Sequence, residues 1–296
     1  MTKPTIGFIG LGLMGSAMVS RLQDLGYQVT VTANRSRPNI DAAVARGATE
    51  VDTARDVASA SDIVMLCMDT SASVEARMTG ADGVIAGLQS GAVVIDFGTS
   101  LPGSTRALAE KVAAASGTML DGPLGRTPQQ AYDGKLNIMA SGDKAAFDKI
   151  KPVLDDLGEN VFHLGAVGSG HTIKLMNNFF GMTVANAMGE VFAMSDVAGV
   201  DRQQVFDVIA AGPLKSMMMD LVKGYAIDGN PDMLAFSIGN AAKDLGYYDQ
   251  MAKDAGTESA LVGGPLNAMK SAKDAGHGDE MVSQMVDFYS KMFGQN

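Results

Sequence analysis

The chain has 296 residues, 46% of them hydrophobic, which suffices for a core in each of two domains. A net charge of −10 and a pI near 4.7 exclude nucleic acid and anionic membrane as partners, so an anionic ligand must be met by a local cluster of positive groups. The single cysteine, Cys67, rules out an internal disulfide, and His163, His171 and His277 lack the spacing of a metal site.

At the N-terminus, Lys3 and the apolar run from Ile6 to Val19 have the outline of a secretory leader. Gly7, Gly10, Gly12 and Gly15 interrupt that run, and no small-residue cleavage site follows it. No other stretch reaches transmembrane length, so a soluble cytoplasmic protein is expected. Thr5–Ile9 reads as a strand, Gly10-Leu11-Gly12-Leu13-Met14-Gly15 as a turn, and Ser16–Leu25 as a helix. This is the order of a dinucleotide-binding unit. Gly10 permits the tight turn, Gly12 lets a pyrophosphate approach the backbone, and Gly15 lets the helix pack on the strand. The helix N-terminus adds partial positive charge.

Gln28–Ala33 is the second strand, and its end reads Ala33-Asn34-Arg35-Ser36-Arg37. An acidic residue there would hold a ribose 2′-hydroxyl; two arginines and a serine suit a 2′-phosphate instead. The pattern predicts NADP, with NAD possible, against the alternative of a solvated turn. Alternation continues with a helix at Ile40–Ala45, a strand near Ala48 and a strand at Asp62–Cys67. A helix at Val74–Met78 and a strand at Ala92–Asp96 follow, then a helix from Pro102 to Ala114. Met119-Leu120-Asp121 leads into the glycine- and proline-rich turn Gly122–Pro128, and Leu136–Ser141 is another strand. Such alternation predicts a parallel sheet with helices on both faces. Cys67 sits in one of these apolar runs and reads as a small core residue.

Beyond Gly170 the pattern is helical only, over about 172–197, 201–211, 217–223, 232–255, 260–275 and 279–293. We therefore expect an α/β Rossmann-like NADP domain over 1–164 and an all-α substrate and dimerisation domain over 165–296. Their junction is Gly165-Ala-Val-Gly168-Ser-Gly170-His-Thr-Ile-Lys174-Leu-Met-Asn177-Asn178. Lys174 and Asn178, four apart, share one helix face. A lysine buried at such a point releases its proton more readily than a solvated one, and Asn178 can hold its ammonium or a substrate oxygen. The alternative is a surface lysine beside a capping-region asparagine.

Gly10-x-Gly12-x-Met14-Gly15, Asp121-Gly-Pro-Leu-Gly, the Gly165–Asn178 stretch and Lys243-Asp244-Leu245 occur in this order over essentially the whole chain. Together they resemble the β-hydroxyacid dehydrogenase family, which includes 3-hydroxyisobutyrate dehydrogenases and tartronate and succinic semialdehyde reductases. The resemblance implies hydride transfer between NAD(P) and a small anionic hydroxy acid or its semialdehyde, in a homodimer or homotetramer. It makes Lys174 the general acid–base and Asn178 the substrate-positioning residue. Gly122, Pro123, Leu124, Gly125, Arg126, Thr127 and Lys243 fall to the substrate. Gly10, Leu11, Gly12, Leu13, Met14, Gly15, Asn34, Arg35, Ser36, Met68, Thr99 and again Lys243 fall to the cofactor.

Two departures stand out. Gly125-Arg126-Thr127 replaces the family's Ser-Gly-Gly and is similar to sulfolactaldehyde reductase, where the arginine helps hold a sulfonate. Gly98 stands where serine usually precedes the threonine. Arg126 is thus expected to clamp a carboxylate or sulfonate, the alternative being a pair with an acid such as Asp133. Rival readings are an NADH-linked sulfolactaldehyde-type reductase, a non-catalytic dinucleotide-binding module, which needs neither Lys174 nor Asn178, and an imine reductase, which usually replaces the lysine.

Overall fold

Short apolar runs ended by glycine turns set the first half of the chain. The structure, a computed structural model, describes residues 3–33 and 36–294; Asn34 and Arg35, expected at the cofactor, lie outside the described residues. In order come β1 (Ile6–Ile9), α1 (Leu13–Asp24), β2 (Val29–Val31), α2 (Pro38–Ala45), β3 (Thr49–Glu50), α3 (Ala54–Ser59), β4 (Ile63–Leu66), α4 (Ser71–Met78), α5 (Val84–Gly87), β5 (Val93–Asp96), α6 (Pro102–Ala114) and β6 (Thr118–Asp121). β7 (Leu124–Gly125), α7 (Pro128–Tyr132), β8 (Leu136–Ala140), α8 (Lys144–Leu157) and β9 (Gly158–His163) follow.

The six strands β3-β2-β1-β4-β5-β6 form one parallel sheet in that order. Its central strands are buried on both faces, as parallel sheets covered by helices require. Alternate residues feed opposite layers: Ile63, Met65, Val93 and Ile95 pack on one side, and Val64, Leu66 and Val94 on the other.

The remaining strands β7-β8-β9 make a second sheet that the sequence pattern does not anticipate, with β7 antiparallel and β9 parallel to β8. Nor does it anticipate α8, which contains Pro152, a breaker signal. Apolar spacing outweighs the proline there: Phe147, Ile150, Val153, Leu154 and Leu157 are buried, and Asp143 caps the helix through the Ala146 N–H.

The helices continue with α9 (Ser169–Val197), α10 (Arg202–Ala210), α11 (Met217–Ala226), α12 (Ile238–Asp254), α13 (Gly263–Ala272) and α14 (Met285–Met292). The single helix expected over 232–255 is interrupted. A 3₁₀ turn at Pro231–Leu234 precedes Ser237, whose hydroxyl caps α12 by accepting the Asn240 N–H. The chain divides into two compact units, one through Lys174 and the other from Leu175, so α9 belongs to both. The second unit has its own core, around Phe192, Val222, Leu245, Met269 and Met285. Among the described residues no helix is long and apolar enough to cross a membrane.

Candidate active site

All six strands of the large sheet run the same way, so the segments leaving their C-terminal ends share one edge. Gly10 follows β1, Met68 lies just beyond β4, Thr99 beyond β5 and Gly122 after β6. Strand order reverses between β1 and β4, and crevices at such switch points bind ligands. The structure therefore gathers the Gly10–Gly15 turn, Met68, Thr99 and Gly122 on one edge of the first unit.

Each glycine of the first turn has a distinct physical reason. Gly10 has φ +100°, and a Cβ there would collide with the Cys67 carbonyl just past the end of the neighbouring strand β4. A Cβ on Gly15 would strike the Gly10 carbonyl. Gly12 is different: it is the N-cap of α1, and a Cβ on it would meet nothing within 4 Å. No side chain caps α1 and its first turn carries no acid, so its N-terminal amides face a space that suits a pyrophosphate. The Leu11 carbonyl accepts from Asn39, which braces the turn, while Leu13 is 79% exposed.

Beyond β2, Ser36 is exposed. Arg37 is already engaged: its guanidinium donates to both oxygens of Glu50 (3.1 and 3.0 Å) and to Asp41 (3.2 and 2.8 Å). Those acids come from β3 and α2.

The deepest polar feature lies at the ends of β5 and β6, where Asp96 and Asp121 are register partners, exposed by only 1% and 0%. Asp121 Oδ1 accepts from the Gly168 N–H (2.7 Å) and the Ser141 hydroxyl (2.5 Å), and its Oδ2 accepts from the His171 N–H (2.8 Å). The Gly170 N–H donates to Ser141 Oγ (2.9 Å). A Cβ on Gly170 would collide with the Met139 carbonyl and lie 2.8 Å from Asp121 Oδ2, which explains that glycine. One carboxylate thus clamps the start of α9, whose next turn carries the half-buried Lys174. Asp96 accepts from the Gly98 N–H and the Ser100 hydroxyl, and its main-chain carbonyl accepts from the Gly122 N–H. Burial, then the charge of Asp96, pushes the Cys67 thiol up to about 12. Asp96, Ser141 and His171 carry no role in the sequence reading. The available signal was the repeat of aspartate at two strand ends.

The turn expected to receive substrate is built on β7. Gly122 and Pro123 are buried, and the Pro123 carbonyl accepts from Met139. Leu124 and Gly125 pair with Ile138 and Asn137. Arg126 has a positive φ of +80°, and its Nη1 donates to the Lys135 carbonyl (2.7 Å) and to Glu159 (2.5 Å). Its acid partner is Glu159 on β9, not Asp133, which is engaged with Gln129. The N–H groups on Nε and Nη2 take no part in those two bonds. Thr127 forms a capping box with Gln130 at α7.

Within the second unit, Asn178 is 8% exposed and donates through Nδ2 to Asp244 Oδ2 at 2.5 Å. Asp244 is 2% exposed, and Lys243 Nζ lies 3.0 Å from its other oxygen and 5.4 Å from the Tyr247 ring centroid. Phe179 stacks on Tyr248 at 4.1 Å. The structure thus couples the Asn178 and Lys243-Asp244 motifs through one carboxylate.

Comparison with known proteins adds the relatives. Residues 5–165 match the model of the NAD-binding domain of 6-phosphogluconate dehydrogenase, and residues 168–289 match that of NADP-dependent 3-hydroxyisobutyrate dehydrogenase. The chain is 30% identical to 2-(hydroxymethyl)glutarate dehydrogenase of Eubacterium barkeri over 98% of its own length and 96% of that protein's. It is 32% identical to 2-hydroxy-3-oxopropionate reductase of Escherichia coli over 84% of each. In three dimensions it is similar to Mycobacterium tuberculosis 3-hydroxyisobutyrate dehydrogenase with L-serine: TM-score 0.87, 24% identity, coverage 97% of this chain and 99% of that one.

Proposed function

We infer, from the premise that this chain belongs to the β-hydroxyacid dehydrogenase family and is an NAD(P)-dependent oxidoreductase, that it interconverts a small anionic hydroxy acid and its semialdehyde, with Lys174 as general acid–base. Bound dinucleotide supplies or accepts the hydride. The chain's own task is to hold the carbon and manage the hydroxyl proton. In oxidation neutral Lys174 takes that proton; in reduction its ammonium returns it to the carbonyl oxygen. Asp244 fixes the Asn178 amide, which steadies the substrate oxygen. The turn Gly122–Thr127 receives the substrate's acid group, with Arg126 contributing the Nε and Nη2 donors that Glu159 leaves over. The amides of Gly10–Gly15 and the segments at Ser36, Met68 and Thr99 receive the dinucleotide, NADP in preference to NAD.

What carries this reading is the Asp121 clamp. It anchors the first turn of α9 to the strand edge from which the glycine cradle also rises, and Lys174 follows on that turn. The test is turnover of small hydroxy acids, semialdehydes and sulfonates with each cofactor, in the parent and in Lys174→Ala. The variant should lose on the order of 10²-fold or more in kcat with little change in dinucleotide affinity. Near-normal turnover would remove Lys174 from the chemistry.

One observation favours a second reading. Arg37 is already paired with Glu50 and Asp41, which weakens the case for a 2′-phosphate ligand. Better turnover of a sulfonate than of the matched carboxylate, with NADH, would establish an NADH-linked sulfolactaldehyde-type reductase instead. We further infer that a second copy covers the exposed stripe Met176, Phe180, Val191, Met194 and Val197 on α9. A monomeric mass in light scattering would refute that.

A further inference from the structure

Arg37 is the N-cap of α2 and stands beyond the C-terminal end of β2. In a sheet of this order that end faces the ribose of a dinucleotide's adenosine half, and an arginine beside it is a common partner of a 2′-phosphate. Here the guanidinium turns to β3 instead. Nη1 and Nη2 donate to the two oxygens of Glu50 at 3.1 and 3.0 Å, a fork-on-fork contact. Nε and Nη2 donate to Asp41 Oδ1 at 3.2 and 2.8 Å. Every nitrogen of the head group therefore already carries a carboxylate.

Position and charge both bear on a ligand at this edge. Glu50 is the last residue of β3 and the register partner of Val31, which ends β2, so the ion pair sits at the strand end itself. Asp41 lies in the first turn of α2, and its N–H donates to the Arg37 carbonyl, so backbone and side chain hold the same two residues together. A lone exposed ion pair contributes little, but a two-pronged contact within a network is the geometry in which such pairs hold. One base and two acids leave this corner net negative. A 2′-phosphate arriving there meets occupied donors and two like charges. An unphosphorylated ribose brings hydroxyls, whose protons carboxylates accept.

We propose that Glu50, supported by Asp41, sets the cofactor specificity of this enzyme: by holding the Arg37 guanidinium on β3 it withholds that positive group from a 2′-phosphate and narrows the preference for NADP over NAD. This rests on the reading of the first unit as a dinucleotide site and is independent of Lys174. Glu50 is a positioning residue, acting through Arg37 and touching no cofactor. Glutamine in its place keeps the size and one acceptor but loses the charge that ties the guanidinium down.

The measurement is calorimetric titration of the full chain with NADPH and with NADH, in the parent, Glu50→Gln, Arg37→Ala and the double variant. Glu50→Gln should bind NADPH about three- to tenfold more tightly, between the worth of an exposed ion pair and that of a charged hydrogen bond, with NADH affinity near the parent's. Adding Asp41→Asn should widen that gain. Arg37→Ala alone should leave both affinities near the parent's, because the guanidinium is already withheld. In the Glu50→Gln background the same change should abolish the gain. An NADPH-to-NADH ratio unmoved by Glu50→Gln overturns the proposal. So does a gain that persists without Arg37, which would be relief of repulsion alone. Selective loss of NADPH binding in Arg37→Ala also overturns it, since Arg37 would then already reach the phosphate. A parent that binds neither dinucleotide removes the cofactor reading and the proposal with it, whereas a parent that binds both with an unmoved ratio removes the proposal alone.

Discussion

Gly10–Gly15 and Gly165–Gly170 are both glycine-rich loops that lead into helix N-termini, and both use positive φ where only glycine is at ease. They differ in what the N-terminal amides meet. In the first loop α1 has no side-chain cap, no acid in its first turn and open space over Gly12. In the second the Gly168 and His171 amides go to Asp121, and the Gly170 amide to Ser141. Asp121 fills the place at α9 that a phosphate fills at a nucleotide-binding helix. The lesson is that a glycine loop leaves its helix amides open or closes them into an internal joint according to whether the protein supplies the anion itself.

The severest way to break this contrast is Asp121→Ala. It leaves the Gly168 and His171 amides at the start of α9 and the Ser141 hydroxyl without their acceptor. Stability to urea should fall by about 3–5 kcal/mol, the usual cost of breaking a buried charged network. Parent-like unfolding would mean that the joint is not held by the carboxylate. Next comes Gly170→Ala, whose methyl group must enter the Met139 carbonyl; about 1–3 kcal/mol of stability should be lost. The same change at Gly12 sharpens the difference. The site has open space and an ordinary φ of −72°, so melting should stay close to the parent's. Dinucleotide binding should weaken by about tenfold, or about 1.4 kcal/mol. Calorimetric titration with NADP checks this, and unchanged affinity would move the pyrophosphate away from Gly12.

The smallest effect concerns Cys67, whose carbonyl abuts Gly10 and whose thiol senses Asp96. With the thiol pushed up to about 12, only about 10⁻⁴ of it is thiolate at pH 8, and thiolate is the reactive form. Alkylation by iodoacetamide should be negligible at pH 8 and rise about tenfold per pH unit above it. Fast labelling at pH 8 would show that burial and the Asp96 charge do not hold the thiol up.

The local geometry of the candidate site was largely legible in the residues, because its signals are short-range. The strand, glycine turn and helix order over Thr5–Leu25 needs only backbone sterics and apolar periodicity, and the structure has β1, the turn and α1 there. Lys174 and Asn178 share a helix by spacing alone. Other features depended on partners far along the chain. Arg37 meets Glu50 and Arg126 meets Glu159, so the free charge that each arginine suggests in sequence is largely neutralised in the fold. The break before α12 depends on a Ser237–Met281 bridge, and the Pro152-containing α8 on the core it covers.

By itself, then, the sequence determined the element types over most of the chain, the parallel sheet, the change to an all-helical second part and the glycines of the cradle. Each follows from φ/ψ limits or from a period of 2 or 3.6 residues acting over a few neighbours. Tertiary structure alone decided which polar group faces which: Asp121 on the start of α9, Asp244 on Asn178, Glu159 on Arg126. An ionic or hydrogen-bonded partner is chosen by distance and burial after folding, and separations such as the 50 residues between Asp121 and His171 leave no periodic trace in the chain.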